Sequence, residues 1–223
     1  MTRRAQDQHV AAIAWTLAAV AGYVDALGFV LLQGVFTSHA TGDTAHIGRA
    51  VAASNGAAVV RFAWPIAMFV AGLFVSGAIT ALGKRLRFHS TFGVALGLEA
   101  ALLFASPVMT GYFPLAAALA GSMGIQTLTV STVSGLRVYT TYMTGNLAKF
   151  AEGATQFLFT GKRIELRHSI ITGVLWLIFL AGTVFGAYGQ HLWGREAAIA
   201  PATVVATIAA FDFKRPIDPA EEL

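Results

Sequence analysis

The chain has 223 residues, of which 56% are hydrophobic and 12% are charged, and its mean hydropathy is +0.67. A soluble domain carries about 25% charged residues, so this composition excludes an ordinary soluble protein and indicates a membrane protein. The net charge of +4 comes from short basic clusters between apolar runs, which argues against a nucleic-acid partner. The absence of cysteine excludes disulfides, thiolate metal sites and cysteine nucleophiles.

The first predicted element is a long apolar run that starts near residue 10. Two arginines before it and the small residues 19–21 within it imitate a secretory signal peptide. The run nevertheless continues to Phe36, interrupted only by Asp25 and Gln33, which is the length of a tilted transmembrane helix. We therefore predict an uncleaved first span.

Runs of roughly 20 apolar residues predict six transmembrane helices in all. They lie at about 10–36, 62–82, 91–109, 112–134, 168–188 and 192–211. Two further segments, 44–58 and 147–160, contain charged residues and fall below spanning length. We expect each of them to be a half-helix that dips back into the bilayer or an amphipathic helix on its surface.

The basic residues indicate that these short segments do not cross the membrane. In a six-span topology, Arg49, Arg61 and Arg195 fall on one side and twelve basic residues fall on the other. Because cytoplasmic loops are enriched in lysine and arginine, we predict that both terminal tails, 1–9 and 212–223, are cytoplasmic. The twelve are Arg3, Arg4, Lys84, Arg85, Arg87, Arg137, Lys149, Lys162, Arg163, Arg167, Lys214 and Arg215.

A short motif at the end of the first span recurs later in the chain. T-S-H-A-T-G-D at 37–43 returns as T-T-Y-M-T-G-N at 140–146. The threonines, the aspartate and the asparagine of T-G-D and T-G-N are residue types that cap helix N-termini, and the glycines permit a sharp turn. We therefore predict a helix break in each copy, at Thr41, Gly42, Asp43, Thr144, Gly145 and Asn146.

The motif and the number of spans together predict an inverted repeat. Three spans per unit is an odd number, so the second unit, about 112–211, enters the membrane from the face opposite to the first, about 10–110. Two pairs of small residues support the match, Ala21-Gly22 with Ala120-Gly121 and Ala71-Gly72 with Ala181-Gly182. Inverted repeats with interrupted helices are typical of secondary transporters and some channels. The predicted fold is an all-α, polytopic, single transmembrane domain (1–223) with six transmembrane helices and two half-helices.

Three polar residues inside the predicted spans are candidate site residues. For Asp25 we favour a functional role, as a proton or cation site or as a partner for the N-terminus of a half-helix. The alternative is a protonated or hydrogen-bonded aspartate that pins two helices together. Glu99 in the third span raises the same question. Gln126 lies in a hydroxyl-rich fourth span, which suits either a hydrated pathway or hydrogen bonds between helices.

Asp43 and Asn146 carry the sharper hypothesis. Two half-helix N-termini that converge from opposite faces would form a small polar site near the membrane midplane, and the alternative is that both residues are only caps. Asp43 adds a negative charge that Asn146 does not, which disfavours an anion-selective pore. His39 and His46 flank the first break as candidate pH-sensitive gates, although an interfacial position is favoured.

Three segments resemble the YoaK-like family of bacterial integral membrane proteins, a family of unknown function. They are G-Y-V-D-A-L-G-F at 22–29, F-T-S-H-A-T-G-D at 36–43 and T-T-Y-M-T-G-N-L at 140–147. The resemblance covers essentially the whole chain and implies a multi-pass protein of the bacterial inner membrane. Members usually have T-G-N in both breaks, so Asp43 departs from the family pattern.

The leading functional prediction is a transporter or channel for an unidentified small solute, with Glu99 as a coupling carboxylate. The alternative is a non-transporting scaffold or regulatory subunit whose helix breaks are structural. No phosphate loop, zinc motif or catalytic triad is found, so we expect neither an enzyme nor a cofactor or metal site. The expected partner is the lipid bilayer, and the small-residue faces permit a homodimer.

Overall fold

The computed structural model describes residues 3–129, 132–133, 136–137 and 139–214. This part of the chain forms eight α-helices, two short 3-10 helices at 106–108 and 194–198, and one antiparallel pair of two-residue strands. The α-helices are α1 (Arg3–Leu31), α2 (Ala40–Ala52), α3 (Gly56–Leu86), α4 (Thr91–Ala105), α5 (Tyr112–Thr129), α6 (Met143–Thr160), α7 (Arg163–Trp193) and α8 (Ile199–Lys214). The strands are β1 (Thr132–Val133) and β2 (Leu136–Arg137).

The first helix ends five residues before the predicted boundary at 36. Gln33 and Gly34 both have positive φ, at 54° and 88°, and the Gly34 amide donates to the Phe29 carbonyl at 2.7 Å. This left-handed turn satisfies carbonyls at the helix end and prevents its continuation. α5 likewise ends at Thr129, whereas the predicted fourth span ran to 134, into residues that lie partly outside the described chain.

Each predicted short segment contains a short helix that starts earlier than predicted, and the first also ends earlier, since α2 stops at Ala52 and residues 56–58 belong to α3. α2 begins at Ala40 and α6 at Met143, so each T-G-D/N triplet lies inside the first turn of its helix. The N-caps are His39 and Tyr142, and neither makes a side-chain capping bond. The prediction that the triplets supply the N-caps is therefore wrong.

The packing of the long helices has two closely similar interfaces. α1 packs against α7, and α5 packs against α3, while α2 lies on α3, α6 lies on α7 and α4 lies on α8. A Cβ at Gly22 of α1 would lie 2.1 Å from the Phe179 carbonyl oxygen of α7. A Cβ at Gly124 of α5 would likewise lie 2.1 Å from the Phe69 carbonyl oxygen of α3. Only glycine permits such close backbone contact between helices.

These contacts correct the predicted alignment of the two halves. Phe69 lies two residues before Ala71-Gly72, and Phe179 lies two residues before the matched pair Ala181-Gly182. The two glycines that pack against the carbonyls of these phenylalanines are therefore counterparts. Gly22 therefore corresponds to Gly124, and its predicted match with Gly121 is wrong by three positions. Small residues recur throughout both helices, so the sequence alone permits several alignments of α1 with α5.

Four stretches of the described chain are long and apolar enough to cross a membrane: Val10–Leu31, Gly56–Leu86, Thr91–Val108 and Arg163–Lys214. The last of these contains both α7 and α8. Large apolar side chains point outward, including Phe74 at 75% exposure, while Asp25, Glu99 and Gln126 are buried inside. An apolar outer surface around a largely apolar core that encloses a few buried polar side chains is the distribution expected of a protein in a lipid bilayer.

Candidate functional site: the two helix breaks

Asp25 of α1 holds the non-helical segment that leads into α2. Its Oδ1 accepts bonds from the Thr37 amide at 3.1 Å, the Thr37 hydroxyl at 2.6 Å and the Ser38 amide at 2.9 Å. Its Oδ2 accepts a bond from the Ser38 hydroxyl at 2.8 Å and contacts Nδ1 of His39. A carboxylate offers about four acceptor positions, so these partners use all of them.

Asp43 lies beside this cluster and is 1% exposed. Its Oδ1 accepts a hydrogen bond from the Phe36 amide at 3.3 Å. The amides of Phe36 and Thr37 are consecutive in the chain, so Asp43 and Asp25 bind neighbouring backbone N–H groups. The first break therefore brings two buried carboxylates and one partly exposed imidazole into a single cluster.

The second break is held in a similar way, by neutral groups. The hydroxyl oxygens of Thr127 in α5 and Thr141 are 2.7 Å apart, the counterpart of the Asp25–Ser38 contact. Nδ2 of Asn146 donates to the Tyr139 carbonyl at 3.1 Å. Asp43 and Asn146 thus each bond to the backbone of the residue seven positions earlier, one as acceptor and one as donor.

Gln126 connects the second break to the first helix. Its Nε2 donates to the Leu17 carbonyl of α1 at 2.9 Å and to the Thr140 hydroxyl at 3.0 Å. Its Oε1 is buried and has no hydrogen-bond partner within the described residues. Of its two predicted roles, the contacts favour hydrogen bonding between helices.

The motif glycines act through packing. Gly42 and Gly145 have ordinary helical backbones, and positive φ occurs at other glycines of the described chain. A Cβ at Gly42 would lie 3.2 Å from the Phe36 ring, and one at Gly145 would lie 2.1 Å from the Tyr142 ring. The glycines leave room for an aromatic ring on the first helical turn, so the predicted sharp turn at these positions is wrong.

The other predicted site residues lie apart from these contacts. Thr41 and Thr144 are exposed on the first turns of α2 and α6. Glu99 is fully buried in α4, and neither of its carboxyl oxygens has a hydrogen-bond partner within the described chain. The structure therefore joins Asp25 to Asp43 and Gln126 to the second break, and it does not connect Glu99 to either group by a hydrogen bond.

Several contributors were not predicted as site residues. Thr37, Ser38, Thr127 and Thr141 supply the bonds that hold the breaks. His39, which was predicted as a candidate pH-sensitive gate, contacts Asp25 directly. The recurring Thr-Ser/Thr pair at the start of each motif was the available sequence signal. Within the described residues, no group of three histidine or acidic side chains is arranged to hold a metal ion.

Comparison with known proteins places the chain in a family. Residues 13–211 match the family model described as "Protein of unknown function (DUF1275)". The chain is also 26% identical over 182 residues to the UPF0700 transmembrane protein YoaK of Bacillus subtilis strain 168, covering 78% of this chain and 81% of that protein. No solved structure matches the chain. The predicted resemblance is therefore confirmed, and the chain belongs to the YoaK-like DUF1275 family of membrane proteins.

Proposed function

We propose that this protein is a transporter or channel for a small solute in the bacterial inner membrane, and not an enzyme. The observation that carries this proposal is the pair of matching helix breaks, each with a buried Asp or Asn side chain on the first helical turn. Interrupted helices in corresponding positions of two halves are the arrangement that transporters use to bind substrates and ions.

The proposal includes a six-span, 3+3 inverted repeat with both termini in the cytoplasm. Two kinds of helix contact recur in the two halves. α1 packs on α7 as α5 packs on α3, and α2 lies on α3 as α6 lies on α7. The positive-inside bias supports an odd number of spans per unit. The two breaks then open toward opposite faces, as alternating access requires.

The charge of the first break narrows the class of solute. Asp25 and Asp43 are both buried, and His39 is the one cationic group that contacts either of them within the described residues, so a permeating anion would meet repulsion. Small cations and small neutral solutes are the proposed substrates. Glu99 is the proposed coupling carboxylate because it is buried without a hydrogen-bond partner among the described residues.

One observation favours the alternative, a non-transporting scaffold. The acceptor positions of Asp25 are all used to hold its own break, as expected of a structural residue. In a scaffold, the breaks would serve only to shape the helices that contact partner proteins.

Solute flux in proteoliposomes tests the proposal. Vesicles containing the full chain are loaded or challenged with K⁺, ammonium, urea or glycerol, and compared with vesicles containing the Asn146→Ala variant. This variant removes the polar amide of the second break but leaves the first break unchanged. Flux in the wild type that falls in the variant supports transport. Equal flux in wild-type, variant and protein-free vesicles for all four solutes contradicts it and favours the scaffold.

A further inference from the structure

The two breaks differ in one consistent respect. In the first break, Asp25, His39 and Asp43 carry two carboxyl groups and an imidazole, whereas their counterparts Thr127, Tyr142 and Asn146 in the second break carry a hydroxyl, a phenol and an amide. The backbone geometry is nearly the same, since φ and ψ are −99° and 63° at His39 and −96° and 72° at Tyr142. At the N-cap, the two breaks therefore differ in side-chain chemistry and not in backbone conformation.

The first break has more negative charge than its surroundings neutralise. Asp25 is 3% exposed and Asp43 is 1% exposed, and an ionised carboxylate inside a membrane protein is costly unless it is paired. His39 supplies at most one positive charge, and it contacts Asp25. One carboxylate therefore remains without a cationic partner within the described residues.

The neighbouring charged and titratable side chains do not supply that partner. Arg61 of α3 donates to the Leu32 carbonyl at 2.9 Å and lies over the ring of Tyr112, whose hydroxyl in turn donates to the Arg61 carbonyl. On α2 itself, His46 is stacked on a phenylalanine ring and Arg49 is exposed in the last turn. α7 presents the Phe179 ring to His39, with the ring centroids 5.8 Å apart.

The hydrogen bonds distinguish a proton from a metal cation. A sodium or larger ion needs several free oxygen ligands, but both oxygens of Asp25 are fully engaged. Asp43 has one hydrogen bond among the described residues, at 3.3 Å through Oδ1, so its Oδ2 is available to carry hydrogen. A proton neutralises the cluster and needs no further ligand.

We propose that the first break is a proton-binding site, in which Asp43 takes up the proton, Asp25 remains the fixed acceptor and His39 is the second proton carrier. Uptake forms an O–H bond on Asp43, and release returns the proton to water. The inference rests on the proposed function for its role in transport, where it makes the proton the coupled ion and assigns its binding to the first break in place of Glu99. Proton binding itself does not depend on transport.

Infrared difference spectroscopy of the full chain in lipid nanodiscs, recorded as a function of pH, tests the site. We expect one carboxylic-acid band that appears as the pH falls, is lost in Asp43→Asn and persists in Glu99→Gln, the control for the other buried acid. Asn146→Asp, which places a carboxyl in the second break, should leave the band of the first break unchanged. Persistence of the band in Asp43→Asn would overturn the proposal.

A second variant keeps the test decisive if Asp43→Asn folds poorly. His39→Gln should change the proton concentration at which the Asp43 band reaches half its full intensity by about tenfold or more, because the imidazole lies within the same cluster. An unchanged titration would show that the groups do not form one site. Exchange of K⁺ for Na⁺ at constant pH should leave the band unaltered, and a sodium-dependent change would overturn the assignment to a proton.

Failure of the proton-site proposal can be distinguished from failure of the proposed transport function. A titrating Asp43 in a protein that moves no solute leaves the proton site standing and removes the transporter. Solute flux without a titrating Asp43 leaves the transporter standing and removes the proton site.

Discussion

Replacing Asp25 with alanine should destabilise the protein more than any comparable change in the second break. The variant leaves the buried amide of Thr37 and the partly buried amide of Ser38 without acceptors, whereas the two hydroxyls can turn toward other partners. A buried polar group left without a partner costs about 1–3 kcal/mol, so two amides predict a loss of roughly 2–6 kcal/mol in unfolding free energy.

Two further variants calibrate this value. Asp25→Asn keeps an oxygen for the amides but loses the charge, so we expect a loss of about 1–3 kcal/mol. Thr127→Ala at the counterpart position removes one hydroxyl contact with Thr141, with an expected loss of about 0.5–1.5 kcal/mol.

Equilibrium unfolding in bicelles, followed by circular dichroism, measures these three free energies under one condition. The expected order of destabilisation is Asp25→Ala, then Asp25→Asn, then Thr127→Ala. If Asp25→Ala lies within about 0.5 kcal/mol of the wild type, the range of an ordinary surface substitution, the argument that Asp25 holds the first break is refuted.

Two other substitutions test the packing and the buried acid. Gly22→Ala should lower the free energy of unfolding by about 1–3 kcal/mol, since its Cβ would overlap the Phe179 carbonyl oxygen. The control is Gly97→Ala, in open space within α4, which should be neutral or stabilising by up to about 1 kcal/mol. Equal effects of the two substitutions in the same bicelle assay would contradict the close packing of α1 on α7. Glu99→Leu should stabilise the fold by about 1–3 kcal/mol, because it replaces a buried carboxyl that has no hydrogen-bond partner among the described residues. A loss of stability would contradict this prediction and indicate that Glu99 makes a stabilising bond.

The sequence predicts the membrane-protein class and the two helix breaks because both produce local sequence patterns. Apolar composition and run length identify the membrane helices, and the repeated T-G-D/N triplet identifies both short helices. Both helix starts were predicted four residues late because cap residue types were taken as caps, whereas Asp43 and Asn146 bond back to residues that precede the helix.

Tertiary contacts account for what the sequence does not reveal. Asp25 and Thr37 are twelve residues apart, and only the fold brings the carboxylate to that amide. The contact between Gln126 and Leu17 spans 109 residues and has no local signature. The correspondence of Gly22 with Gly124 becomes visible only through the carbonyls that both glycines contact, because alanine and glycine repeats allow several alignments.

The most direct test of the proposed architecture is labelling of single cysteines from each side of the membrane. The chain has no cysteine of its own, so no background must be removed. Ala53→Cys, in the turn after α2, and Thr160→Cys, at the end of α6, alter small exposed residues. With a membrane-impermeant maleimide, we expect Ala53→Cys to react from outside the cell and Thr160→Cys from the cytoplasm. Reaction of both from the same side would mean that the short helices cross the membrane, which would contradict the inverted repeat.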